Sequence, residues 1–321
     1  MSSKSSIKNL LHLSIPIFFA NLAIPLVAIV DTGLMGNLDD ASYLTATSIA
    51  SSLFSMIFFS FGFLRMGTVG MVAQAHGSNQ YNEIVDLVFR NITFVIVISF
   101  LLIFLQHFIF NLGLQIFDLS NDTEKYFKDY FYIRIYSSFG ELTIYVITGL
   151  FIGLQKTKIS SVVVGFFSVT NIIFSLFFVL YFKLNVTGVA LGTLVSSTLT
   201  SFIFLIYTFF ELKKLTNINF DIKKIFNVKK IQNIFNINFN IFIRSVLLTF
   251  SFLFFTYLGN TISEDVVAAN TILINLIFLS AFILDAYAFS TEGIVGYSIG
   301  SKNITLLRNV IKNSFMLSAS T

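Results

Sequence analysis

Apolar stretches recur along the whole chain, separated by short polar breaks. Runs of about 20 apolar residues are long enough to cross a bilayer as helices. The pattern predicts spans at 11–34, 45–72, 88–112, 128–153, 159–182, 187–210, 234–258 and 266–296, with a ninth beginning near Ile304. The expected fold is an all-α polytopic membrane protein with about eight full transmembrane helices plus part of a ninth. The first stretch organises the rest. It carries both prolines of the chain, Pro16 and Pro25, and one carboxylate, Asp31. Proline inside a spanning helix removes a backbone donor and invites a bend. An acid at membrane depth is costly and marks a functional residue by default. The competing reading places Asp31 at the helix end, in headgroup water.

Composition agrees with a membrane chain. Of 321 residues, 55% are hydrophobic and 11% charged, against about 25% charged in ordinary globular chains. There is no cysteine, hence no disulfide, thiolate metal site or thiol nucleophile. His12, His76 and His107 are too scattered for a metal site. The formal charge of +4 sits in loops and reads as membrane orientation rather than nucleic-acid binding. With the N-terminus in the cytoplasm, fourteen Lys and Arg, Arg90 among them, fall in cytoplasmic segments and three in outer loops. Acids such as Asp39, Asp40, Asp118, Asp122, Glu264 and Asp265 populate the outer loops. The opening residues lead into a full-length span and read as a retained first helix. Segment 211–233 is the longest polar break, with lysine pairs beside Ile and Phe, and reads as a basic amphipathic linker on the inner leaflet.

The chain also contains a duplication at a shift of 223 residues. Gly36-Asn37 returns as Gly259-Asn260, Gly70 as Gly293, and Gly77-Ser78 as Gly300-Ser301; 11 of the 43 positions from 36 to 78 are identical in the second copy. The shift spans six predicted helices, so the copies run parallel through the membrane. The expected organisation is an N-terminal six-helix lobe at 1–210, the linker at 211–233 and a partial C-terminal lobe at 234–321. Two full repeats would need roughly 445 residues and twelve spans. The sequence in hand is therefore expected to be a first lobe plus an incomplete second.

Seven charged residues fall inside the spans: Asp31, Arg65, Arg134, Glu141, Arg244, Asp285 and Glu292. Each needs a partner or a watered cavity. Arg134 and Glu141 are seven apart, on one helix face but two turns distant, so water rather than direct contact is expected to join them. Arg65 and Asp285 have opposite charge at similar depth and are expected to pair across the lobes. Arg65 and Glu292 are alternatively close enough to the interface to snorkel. Asn171 and Ser175 lie one turn apart and either line a cavity or bond neighbouring helices.

Together these tracts resemble the multidrug and toxic compound extrusion (MATE) family, in its DinF-like branch. They are Ile15-Pro16 with Val30, Asp31, Thr32 and Gly36; Leu64-Arg65-Met66-Gly67-Thr68; Ala73 to Gly77; Ile133-Arg134; Gly149, Gly153 and Gln155; Asn171; Asn185 to Ala190; Ile243-Arg244-Ser245; Leu284-Asp285-Ala286; and Glu292-Gly293. The resemblance implies two parallel six-helix lobes, the second incomplete here. It implies a secondary-active antiporter that exports amphipathic, cationic organic compounds across the cytoplasmic membrane in exchange for H⁺ or Na⁺, with no other cofactor and as a monomer when full length. In that family the acid of the first helix is proton-linked and the proline before it marks a bend; here these are Asp31 and Pro16. Asn171 matches a cavity residue, Ser175 stands where many relatives carry an acid, and Asp285 matches an Asp of the DinF-like pattern. A lone cavity carboxylate favours H⁺, since sodium needs several oxygen ligands. The alternatives are a lipid-linked oligosaccharide flippase of the same superfamily and an inactive truncated remnant. A membrane enzyme is disfavoured, because no catalytic motif is present.

Overall fold

A computed structural model describes residues 3–38, 40–117, 119–216, 227–262 and 264–321. Among them the chain is built from α1 (Ser3–Gly36), α2 (Ala41–Ser60), α3 (Phe63–Gly77), α4 (Tyr81–Phe104), α5 (Gln106–Phe117), α6 (Asn121–Arg134), α7 (Ser138–Gly153), α8 (Thr157–Leu176), α9 (Asn185–Leu215), α10 (Val228–Ile262), α11 (Glu264–Gly300) and α12 (Ile304–Ser320). Asp39, Asp118, Lys223, Lys224 and the rest of 217–226 lie outside the described residues, as do the side chains of Lys4, Glu264 and Asp265. Eight helical segments among the described residues are long and apolar enough to cross a membrane. Large apolar side chains cover the outside, with Phe19, Phe100, Phe104 and Tyr181 all more than 60% exposed. Water would not tolerate rings at this density, whereas hydrocarbon solvates them.

Three expected spans are broken, each by local backbone chemistry. The second divides at Phe61-Gly62, where Phe61, Gly62, Leu64 and Arg65 all donate to carbonyls three residues back at 3.0–3.1 Å. The third divides at Leu105. The fourth is interrupted by a 3₁₀ turn at Ile135–Ser137. There the Ser137 and Ser138 hydroxyls donate to the Arg134 and Ile135 carbonyls, both at 2.7 Å, in competition with helical bonds. A π-helical turn, Phe177–Tyr181, ends the fifth span. α1, by contrast, runs unbroken through Pro16 and Pro25.

Arg90 departs from the sequence reading. It does not lie in a polar segment, because α4 begins at Tyr81 and carries Arg90 inward to 2% exposure. Glu83 at 2.8 Å and Asp86 at 3.4 Å on the same helix neutralise it, as a buried cation requires. Glu83 also pairs with Lys230 at the start of α10.

The packing follows a simple plan. α1 lies on α8, α8 on α9, α3 on α7, and α2 on α6. α11 crosses α3 and α1, α10 contacts α3 and α2, and α12 covers α1 and α11. Where α3 meets α11 the duplication becomes visible in three dimensions. A Cβ on Gly77 would strike the Tyr297 carbonyl, and one on Gly300 would strike the Gln74 carbonyl. Positions 74 and 297 are 223 apart, as are 77 and 300, so the repeats touch through equivalent residues, as in a two-fold interface. Both helices also end alike. Asn79 (φ 57°) and Lys302 (φ 55°) are left-handed. The next amides, Gln80 and Asn303, donate back to Ala75 and Ser298 at 2.8 and 2.9 Å, the longer bond of a Schellman closure.

Candidate functional site

The side of α2 that faces α1, α7 and α8 carries Ser48, Ser51, Ser52 and Ser55 at helical spacing, and it encloses a cavity with them. The cavity measures about 800 Å³, within the range that holds a drug-sized molecule. α1 supplies Val27, Ala28, Asp31 and Thr32 to its wall. Arg65 enters from α3, Tyr130 and Arg134 from α6, and Glu141, Tyr145 and Thr148 from α7; Asn171 and Thr193 complete it from α8 and α9.

Asp31 lies five residues before the end of α1 at Gly36 and lines the cavity. Its carboxylate faces Ser175 and Arg134. One oxygen, Oδ1, is buried with no hydrogen-bond partner. No hydrogen bond joins Asp31 to Asn171. The Asn171 amide instead donates to Thr193 Oγ1 at 3.0 Å, and its oxygen accepts from Ser175 at 3.5 Å. Ser175 is fully buried and packed against Gly192, whose absent Cβ would lie 2.6 Å from its hydroxyl. Ser175 therefore supports the wall rather than lining it.

Arg134 and Glu141 correct the expectation of a water-bridged pair. They form a direct ion pair, and Ser137 bonds both. The reach of the arginine spans the two turns between them, as it does for Arg90 and Glu83, also seven residues apart, on the unbroken α4. The guanidinium also lies 5.1 and 5.2 Å from the Phe54 and Phe58 ring centroids. Glu141 is thus spent on Arg134, and Asp31 is the cavity acid that has no ion-pair partner among the described residues, with Ser175 and Arg134 nearby.

Arg65 lines the same cavity. It is not within ion-pair distance of Asp285 among the described residues; its guanidinium stacks instead on the Phe289 ring of α11, 4.0 Å from the centroid. Asp285 and Glu292 act on it only at longer range. Arg244 is exposed, and its Nη2 meets Met66 Sδ at 3.0 Å. Asp285 is exposed, and Glu292 is half-buried facing Arg65 and Arg244. These last three stand at the junction with α10 and α11 and are not in the cavity wall. Sequence reasoning missed the serines of α2, although positions 48, 51, 52 and 55 trace one helix face and carry a legible period. It also missed Tyr130 and Tyr145, which look like packing residues until the cavity is seen.

Comparison with known proteins places this architecture. DNA damage-inducible protein F of Escherichia coli (strain K12) is 28% identical over 306 residues, covering 95% of this chain and 66% of that protein. The chain therefore spans about two thirds of the length of this relative. A MOP superfamily transporter from Pyrococcus furiosus superposes with a TM-score of 0.87 at 16% identity, over 97% of this chain and 69% of that one. A multidrug resistance MATE family transporter solved in an outward-facing conformation gives 0.87 at 17%, with the same coverage. A Vibrio cholerae MATE transporter gives 0.85 at 18%, over 97% and 70%. These structures share the all-α, two-lobed fold. The MatE family model matches residues 16–177, from the first proline of α1 to the end of α8, and takes in most of the cavity wall; the chain belongs to this family of multi-pass membrane transporters.

Proposed function

We propose that the protein is a secondary-active antiporter that exports amphipathic, cationic organic compounds in exchange for H⁺. The observation that carries this reading is Asp31: an acid on the proline-containing helix, in a drug-sized cavity, with a buried oxygen that no protein donor satisfies. Low-dielectric surroundings penalise its charged form. Either a proton or a cationic ligand relieves that penalty, and the two compete for one site. Proton uptake from outside neutralises Asp31, the cation loses its counter-charge, and the substrate leaves. α1 carries Asp31 and packs on both α8 and α11. A change at the acid thereby reaches the lobe contact through one helix, with Pro16 and Pro25 as its soft points.

In this reading the protein lies in the cytoplasmic membrane with its N-terminus inside, following the lysine and arginine bias. Residues 1–210 form the first lobe, 211–233 the cytoplasmic linker and 234–321 part of the second lobe; it works as a monomer when full length, without other cofactors. The test is Asp31→Asn in everted vesicles loaded with an imposed proton gradient. Proton-linked export should vanish while membrane insertion is kept. Undiminished export by the variant refutes the proposal.

A further inference from the structure

The two arginines of the cavity are not equivalent. Arg134 has its Nη1 donors occupied by Glu141 and Ser137 and its charge met by Glu141. Arg65 has none occupied: among the described residues no hydrogen bond or ion pair reaches its guanidinium, and its Nε is buried without a partner. A guanidinium offers five N–H donors in a planar fork. Leaving them unmet in a poorly solvated site is expensive. Phe289 covers one face of the group at 4.0 Å, which leaves the edge, where all five donors lie, as the part able to take a ligand. Stacking on a ring while the edge binds a planar anion is the geometry for which arginine is suited and lysine is not.

The cavity thus holds a carboxylate, Asp31, and a guanidinium, Arg65, neither in an ion pair among the described residues. Asp31 sits toward the Arg134 end. Arg65 sits beside Tyr145, with its carbonyl where a Cβ on Gly149 would fall, 2.7 Å away. Between them α7 runs from Glu141 to Thr148, about 10 Å of helix, and the cavity wall presents Phe58 and Phe59 of α2, Ile144 of α7 and Phe167 of α8 together with the α2 hydroxyls.

We propose that this cavity takes amphipathic compounds that carry an acidic group as well as a cationic one. Arg65 holds the acid, carboxylate or equivalent, through its guanidinium edge, while Asp31 faces the cation and the aromatic body lies along the wall. Arg65 is then a specificity-determining residue that separates such compounds from simple cations. The inference rests on the antiporter reading for the use made of the site, but its test is an equilibrium measurement that needs no gradient.

The probes are rhodamine B, which bears a free carboxylate beside its delocalised cation, and its ethyl ester, which keeps the ring system and loses the acid. Binding to the full chain in lipid nanodiscs is followed by fluorescence polarisation. The wild type should prefer rhodamine B by about tenfold or more, as expected for hydrogen bonds to a charged group. Arg65→Gln should weaken rhodamine B by about 10- to 100-fold and leave the ester within about twofold. Arg65→Lys, which keeps charge without the fork, should retain a smaller preference. Equal wild-type affinities overturn the proposal. So does an equal loss of both probes in an Arg65→Gln protein that still unfolds cooperatively, which would make Arg65 a packing residue of the α3–α11 contact. The wild-type comparison needs no variant, so it decides the matter even if Arg65→Gln does not fold. Proton-linked export by Asp31→Asn would remove the antiporter reading and leave these binding outcomes intact.

Discussion

Arg134 shows how this protein holds a charge at membrane depth. Its side chain is 11% exposed and that of Glu141 13%, so neither ion is well served by water. Their direct pairing, the Ser137 hydroxyl and the two phenylalanine faces replace hydration with fixed partners. Removing one member leaves the other stranded. Glu141→Gln should therefore destabilise the protein by about 3 kcal/mol, read as a fall in the thermal unfolding midpoint in lipid. The double change Arg134→Met with Glu141→Leu should recover most of that loss, because it removes both charges together. If the double variant is as unstable as the single one, the pair does more than neutralise itself.

At the scale of elements, the contact between α3 and α11 depends on the lack of side chains. Gly77 and Gly300 each leave room for a backbone carbonyl of the other helix, Gly296 leaves room for the Ala73 Cβ of α3, and Gly293 for the Ile152 carbonyl of α7. Close backbone approach is the usual route to helix association in lipid, where apolar burial supplies little drive. Gly300→Ala should cost about 1–3 kcal/mol, because the obstructing Gln74 carbonyl belongs to the backbone and cannot swing aside. Gly165, in the middle of α8, has nothing within 4 Å of its missing Cβ. Gly165→Ala should instead stabilise by about 0.5–1 kcal/mol. Thermal unfolding of the two variants side by side checks both signs. A stabilised Gly300→Ala would mean that the α3–α11 contact is looser than the backbone positions allow.

For the whole molecule, the transport reading requires the second lobe to move against the first. Ser14 of α1 and Ser290 of α11 are buried, with hydroxyls 2.5 Å apart. The chain has no cysteine of its own, so Ser14→Cys with Ser290→Cys forms an isolated pair. Oxidation should cross-link it readily, stop export, and reduction should restore it. Export that continues in the cross-linked protein would show that α1 and α11 travel together and that the lobes part elsewhere. A second tie, Lys230 of α10 on Glu83 of α4, joins the same two parts of the chain at the surface. A pair this exposed is worth little by itself.

What was legible in the sequence was whatever depends on local order. The spans followed from apolar length, since lipid leaves the backbone no choice but internal hydrogen bonding. Intramembrane charge singled out seven residues, because its cost is independent of the fold; Asp31, Arg65, Arg134 and Glu141 line the cavity, and Arg244, Asp285 and Glu292 do not. The duplication was legible because equivalent helix ends need equivalent glycines, and the matching turns at Asn79 and Lys302 bear this out. Partnership was not legible. Residues 134 and 141 are two turns apart, a spacing that predicts a meeting through water, but the arginine side chain spans that distance, as Arg90 does to reach Glu83 seven residues away on the unbroken α4. Arg65 was matched by charge to Asp285, but the packing of α3 on α11 gave it the face of Phe289. Charge along a chain says which residues need partners; which atoms arrive within reach is decided by how helices cross, and that depends on contacts hundreds of residues apart.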